Sequence, residues 1–249
     1  TNAILTAAPA GVTRYWVGGT GTWDASTTTH WSNASGGAGG ASVPTSADAV
    51  VFDSLSNATA YTVTCTATQL RCGSLTMAGP LAGNVTWAGT APLAIHDNVS
   101  LAATGITRTR TALTTLTGST TGKTFTTNGN TYGSIDINGV GCGWTLGSAL
   151  DSTGSQFTIT NGAFDTSSYA VTTLGLTSTN ATSDRTLSLG STTWTNAQLS
   201  SAFLINAINF IFNAGTSNLV FTGASPTLTV TGGSFAFYNL SYTNTAITT

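Results

Sequence analysis

Residues 157–194 read FTITNGAFDTSSYAVTTLGLTSTNATSDRTLSLGSTTW, and the order of strand-like and turn-like pieces within them decides the fold. The alternating FTIT runs into an Asn-Gly turn, a second short strand ends at Asp165, a third follows, and the sequence begins again at Thr186. One circuit of about 20 to 30 residues built from strands and tight turns is the period of a solenoid. The same grammar extends outward. GSLTM from Gly73 and GSIDI from Gly133 both open a strand with Gly-Ser, and NLSYTN from Asn239 has a related form. Short alternating runs such as DAVVFD, YTVTCTATQL, NVTWAG, NLVFTG and TLTVTGG recur from residue 48 onward. The expectation is an all-β chain, a right-handed β-solenoid over residues 48–249, with residues 1–47 as an N-terminal arm and Trp-rich cap.

Composition agrees with that reading. The chain has 249 residues, 40% hydrophobic but only 6% charged, with a net charge of -2. Every acidic residue is Asp, and Lys123 is the only lysine. Thr makes up about one-fifth of the chain, and Gly, Ser, Asn and Val are abundant; these are strand and turn residues. Inward positions take Leu, Ile, Val and Phe, so the outward ones form rows of Thr and Ser that need no charge. The largest basic cluster is TRTRT, around Arg108 and Arg110, too small for the several phosphate contacts that nucleic-acid binding requires. The longest apolar run, AFLINAINFIF, is too short to span a bilayer and contains Asn206 and Asn209, so no membrane insertion is expected.

Sequences that imitate active sites lose the comparison with plainer readings. TGSTTGKTFTT resembles a phosphate-binding loop, yet its glycine spacing is one residue short and a strand-like run follows where a helix is required. His30 and His96 have no partners at ligand spacing, which predicts solvent-facing structural histidines and no metal or other cofactor. Asp136, Asp151, Asp165 and Asp184 fall about one coil apart, the arrangement from which a glycan-cleaving carboxylate pair would be drawn. Three of them sit in LDSTGS, FDTSS and TSDRT, where Asp makes turn hydrogen bonds, and no catalytic residue is assigned. Rows of Thr also suit an ice-binding surface, but TVTCTAT and TRTRT do not recur at one period. Cys65, Cys72 and Cys142 read as small buried hydrophobes, with a Cys65–Cys72 bridge left as the alternative.

Two apolar features remain. Phe203, Leu204, Ile205, Ile208, Phe210, Ile211 and Phe212 form a run that breaks the repeating pattern; it suits a short helix or a strand pair in the core, and is the candidate self-association surface. Trp16, Trp23 and Trp31 are spaced through a segment of small residues. They are either a cap on the open first coil or a platform on which sugars stack; the cap is the preferred reading.

YWVGGTGTWDASTTTHWSNASGGAGGASVPTSADAVVFD resembles the start of β-solenoid passengers in phage virion proteins and bacterial autotransporter adhesins. Trp16, Gly18, Gly21, Trp23, Asp24, Trp31 and Ser32 match the first part of that pattern, and Pro44, Asp48, Val50 and Phe52 the second. The resemblance implies a non-enzymatic fibre, spike, capsid-decoration or adhesion role in a virion. Other virion proteins and a host surface glycan are the implied partners; separately, the sparsely charged surface and the apolar 203–212 run lead to the expectation of a homotrimer. An extracellular or bacterial-surface adhesin and a glycan-degrading β-helix enzyme are the competing readings. No basic start followed by an apolar core opens the chain, which puts the phage branch ahead, and SYTNTAITT reads as a coil just begun, an expectation that the chain continues.

Overall fold

The structure is a computed structural model that describes residues 10–79, 81–198 and 202–243. Among these residues every regular element is a strand, and the strands wind into a β-solenoid of about eight turns. Most turns contribute one short strand to each of three faces, with Gly, Asn and Ser at the corners between them, while Ile135–Leu146 and Leu150–Asp165 run through a corner without a break.

The first face stacks Thr13–Trp16, Ala49–Phe52, Leu75–Met77, Val99–Ser100, Lys123–Thr126, residues 144–146 and 163–165, Arg185–Ser188 and Phe210–Asn213. The second stacks Leu70–Cys72, Leu93–Ile95, Thr114–Leu116, residues 135–137, 157–159 and 176–178, Phe203–Asn206 and Leu228–Thr231. The third stacks Gly21–Trp23, Tyr61–Cys65, Val85–Gly89 and Ile106–Arg108, breaks, and resumes with residues 150–152 and 171–173, Thr193–Asn196, Asn218–Phe221 and Asn239–Tyr242. The chain visits them in the order first, third, second. Pairing between turns is parallel; the strand Trp31–Ser32 instead pairs antiparallel with Thr13–Trp16.

Parallel pairing in register turns the alternation of each strand into columns. On the second face Leu70, Leu93, Thr114, Ile135, Phe157, Leu176 and Phe203 lie one above another and are buried, with Cys72, Ile95, Leu116, Ile137, Ile159, Ser178 and Ile205 in the neighbouring column. Each buried aliphatic or aromatic side chain contributes about 1.5–3 kcal/mol by leaving water. Outward residues form matching rows: Thr124, Thr145, Asp165, Ser188 and Asn213 follow one another along the first face.

The stack does not begin at residue 48. Residues 13–15 pair with residues 49–51 and residues 21–23 with residues 63–65, so the Trp-bearing segment supplies the first rungs of two ladders. GSLTM, GSIDI and NLSY prove to lie on the first, second and third faces respectively. Their likeness reflects a common way of leaving a corner, and the repeating unit is the whole turn. No helix forms in the 203–212 run, which crosses a corner as two strands; its flanking residues 199–201 lie outside the described residues, as do residues 244–249 of the terminal run. Cys65 sits on the third face and Cys72 on the second, and both are free. Among the described residues no helix is long and apolar enough to cross a membrane.

Corners leave main-chain carbonyls inside, and buried cations answer them. Arg185 donates from Nε to Ser183 O at 3.0 Å, from Nη1 to Ser178 O at 2.8 Å, and from Nη2 to Asn206 O at 3.1 Å and to Ile208 O. One guanidinium therefore ties two successive corners together. Arg185→Met fills the same space but strands those carbonyls, and the expected loss is about 3 kcal/mol, since a buried group left unpaired costs about 1–3 kcal/mol. Urea unfolding of the two proteins measures it; a change below about 0.5 kcal/mol would mean that the corner carbonyls find other partners.

Candidate functional site

The Trp cluster is built by three short strands of the first turn. Trp16 and Trp31 are fully buried and Trp23 is 1% exposed. Trp31 meets Trp16 edge-on at 5.1 Å and Trp23 edge-on at 5.2 Å between ring centroids, and Phe52 from the next turn stacks on Trp16 at 5.8 Å. His30 covers the other side of Trp16, nearly parallel at 4.9 Å, with its Nδ1 2.9 Å from Val17 O. This half-buried ring is not the solvent-facing histidine that its isolation in the sequence suggests. His30 fits there because residue 21 is glycine: a Cβ at Gly21 would come within 2.1 Å of His30 Nε2. No Trp face is left open for a sugar, so these three rings are not a stacking platform. Asp24 accepts from Ser26 N at 2.7 Å and Thr27 N at 2.5 Å and shapes the turn after Trp23.

The 203–212 run divides between inside and outside. Phe203, Ile205 and Phe210 point inward and are buried, and Leu204 and Phe212 are half-buried. Only Ile208 at 48% and Ile211 at 59% are exposed, so the proposed association surface shrinks to these two residues. The reason is the corner at residues 207–209, where Asn209 takes φ 54° and resets which residues face inward.

The four aspartates do not converge. Asp136 lies on the second face, Asp151 on the third, Asp165 on the first, and Asp184 at the corner joining second to first. Asp151 accepts from Thr153 N at 3.0 Å and Asp165 from Ser167 N at 2.7 Å, the turn bonds that their sequence context suggests. Burial pushes the Asp136 carboxyl up, against hydrogen bonds from Thr160 and Asn138. Lys123 of the phosphate-loop look-alike points inward, donates to Thr120 O and lies 5.9 Å from the Trp144 ring centroid. Among the described residues no three His, Cys, Asp or Glu side chains gather in a way that would hold a metal.

A groove of about 530 Å³ follows the corner between the second and first faces, lined among others by Asn161, Thr182, Ser183, Asp184 and Thr186. Asn180 fixes its wall by donating to Thr160 O at 3.3 Å and to Ser183 Oγ at 2.9 Å. Its lining mixes hydroxyl and amide groups and one carboxylate with the apolar Val140, Cys142 and Ala163. Sequence reading missed it, because the lining residues come from successive turns that register alone brings together.

Comparison with protein families, curated proteins and solved structures gives no match. The class that the geometry defines is the β-solenoid.

Trp23→Ala should cost about 3–5 kcal/mol, because the cavity opens against both Trp31 and Phe52. Single-Trp variants retaining Trp16, Trp23 or Trp31 should resist acrylamide quenching in the folded protein; ready quenching would return a ligand platform to consideration.

Acid should loosen this same end. Burial alone would raise the Asp48 carboxyl, but bonds from Val12 N, Thr45 N and Thr45 Oγ1, each 2.8 Å, with the charge of Arg14, hold it below its ordinary 3.8. A carboxyl lowered in the folded state contributes stability that is complete above about pH 4 and is lost as the pH falls through the folded value. The protection of the amides of residues 12 and 45, taken relative to their intrinsic exchange rate at each pH, should therefore fall as the pH drops below about 4, and Asp48→Asn should remove that pH dependence.

Proposed function

We propose that the protein is a non-enzymatic structural or adhesive component of a bacteriophage particle, a fibre, spike or capsid decoration. The observation that carries the reading is the set of outward Thr, Ser, Asp and Asn rows held in register along a hydrogen-bonded rod, on a chain that is only 6% charged. Such a rod is stiff along its length because each turn is bonded to the next. Its hydroxyls and amides repeat every 4.7–4.9 Å or so, a surface suited to other virion proteins or to host surface glycans. Glycan cleavage needs two carboxylates about 5–10 Å apart flanking one bond. The spread of the aspartates over separate faces favours binding over cleavage.

Self-association as a homotrimer belongs to the same reading, with Ile208 and Ile211 as side-by-side contacts. A bacterial surface adhesin would share this surface chemistry and differ in where the protein is found. Mass spectrometry of purified particles, with the position of the gene among head and tail genes, is the test. Recovery of the protein only from bacterial surfaces would replace the virion reading with the adhesin. Sedimentation at micromolar concentration should show a trimer that Ile211→Asp converts to monomer; a monomeric native protein would refute the assembly.

A further inference from the structure

The third face breaks where its ladder ends at Ile106–Arg108 and resumes at residues 150–152, with a single bridge from Thr131 to Asp151 crossing the interval. Arg108 pairs with Trp87, which pairs with Val63. Both partners are buried in an inward column, so Arg108 occupies an inward position at the edge of the break. Its guanidinium lies 4.9 Å over the Tyr132 ring centroid and packs so closely on Gly133 that a Cβ there would come within 2.5 Å of Nη2.

Nε and Nη2 of Arg108 are buried and have no hydrogen-bond partner. Neighbouring Arg110 is saturated instead, donating to Ala91 O at 2.7 and 3.1 Å, Leu113 O at 3.0 Å and Thr114 Oγ1 at 3.1 Å. Among the described residues no carboxylate offsets either charge. Asp151, at the rim, is engaged by Thr131 Oγ1 at 3.2 Å, Thr153 N at 3.0 Å and Thr153 Oγ1 at 2.6 Å. Burial pushes the Arg108 guanidinium below its ordinary value, and the charge of Arg110 acts in the same direction while Tyr132 opposes it. A cleft of about 270 Å³ opens at the break, lined by Ile106, Arg108, Gly129, Asn130 and Thr131. Asn130 holds its rim by donating to Ala102 O at 2.7 Å and Thr127 O at 2.6 Å.

We infer that this cleft is an oxyanion site, in which a carboxylate, sulfate or phosphate group enters beside residues 129–131 and is bound by the Arg108 guanidinium. The planar fork of Arg matches the two oxygens of such a group and gives short, charge-assisted hydrogen bonds. A neutral hydroxyl would leave the buried charge uncompensated, and a metal cation would meet two guanidiniums. The cleft has room for one charged group or one acidic sugar ring, and free inorganic anions and uronic acids share the chemistry it selects. The site stands on its own geometry, whatever the fate of the virion reading.

The test is thermal unfolding and calorimetric titration of the full chain with sodium sulfate, sodium phosphate and sodium glucuronate, against sodium chloride at matched ionic strength and against glucose. At least one oxyanion should raise the melting temperature by several degrees, while chloride and glucose do not. Arg108→Met, which keeps an apolar stem over Tyr132, should fold and lose the response; Arg71→Met, at an exposed arginine on the second face, should keep it. Arg108→Lys retains the charge without the fork and should weaken binding about tenfold or more. A response to sulfate or phosphate alone supports the site with an inorganic ion as its ligand, and a response to glucuronate supports an acidic glycan. No response beyond the chloride control, or an equal response in Arg108→Met or Arg108→Lys, overturns the proposal.

Discussion

Parallel hydrogen bonding between successive turns, residue opposite residue, is the constraint on which the rest of this protein depends. Because pairing is in register, an inward side chain in one turn stands on an inward side chain of the turn before, and the core becomes a set of columns. The value of a column shows at its end: Phe203 is fully buried within the second-face stack, whereas Leu228, next in the same column, is 36% exposed. Corners are free to vary provided the rungs stay aligned. Bulges between Ile137 and Gly143 absorb an irregular corner inside one long strand, and the ladders on either side continue.

A chain with so few charges would be expected to keep them in water. Of the six cations, Arg110, Lys123 and Arg185 are buried, and Arg108 is half-buried in an inward column. Solenoid corners explain this, since they turn carbonyl groups toward the interior without giving each an N–H partner. A guanidinium supplies several donors in one plane and answers two corners at once, as Arg185 does. Stacking on Trp87, Trp144 and Phe210 offsets part of the cost of taking these charges out of water. Arg108 departs from the pattern, with a charge brought inside and no carbonyl to meet it.

The first described turn is held together by aromatic packing. Trp16, Trp23, Trp31 and Phe52 meet edge-on and stacked, and the loop carrying Trp31 folds back antiparallel on Thr13–Trp16. This removes the apolar rings from water and gives the first-face edge a partner that cannot extend the parallel ladder. Asp48 then fastens the arrangement by accepting bonds from the segment before it and the loop beside it.

The all-β class, the solenoid and its period were legible because each depends on local pattern: short alternation, corner residues, and recurrence at roughly the length of one turn. The identity of the repeating unit was not. GSLTM, GSIDI and NLSY look alike because each begins a strand after a corner, yet they occupy three different faces. The aspartates, evenly spaced in sequence, are likewise dispersed around the circumference. Sequence showed where large apolar side chains are but not their depth, so the 203–212 run read both as core and as an association surface, and the corner at Asn209 divides it, with Phe203, Ile205 and Phe210 inward and Ile208 and Ile211 outward. By itself, then, the sequence determined the elements and their rhythm, since alternation and turn chemistry act over a few residues. Tertiary structure alone decided which residues stand opposite one another, which cations lie inside, and where the third ladder breaks at Arg108. Those outcomes depend on the register between turns, set by the summed length of every corner and readable in no single stretch.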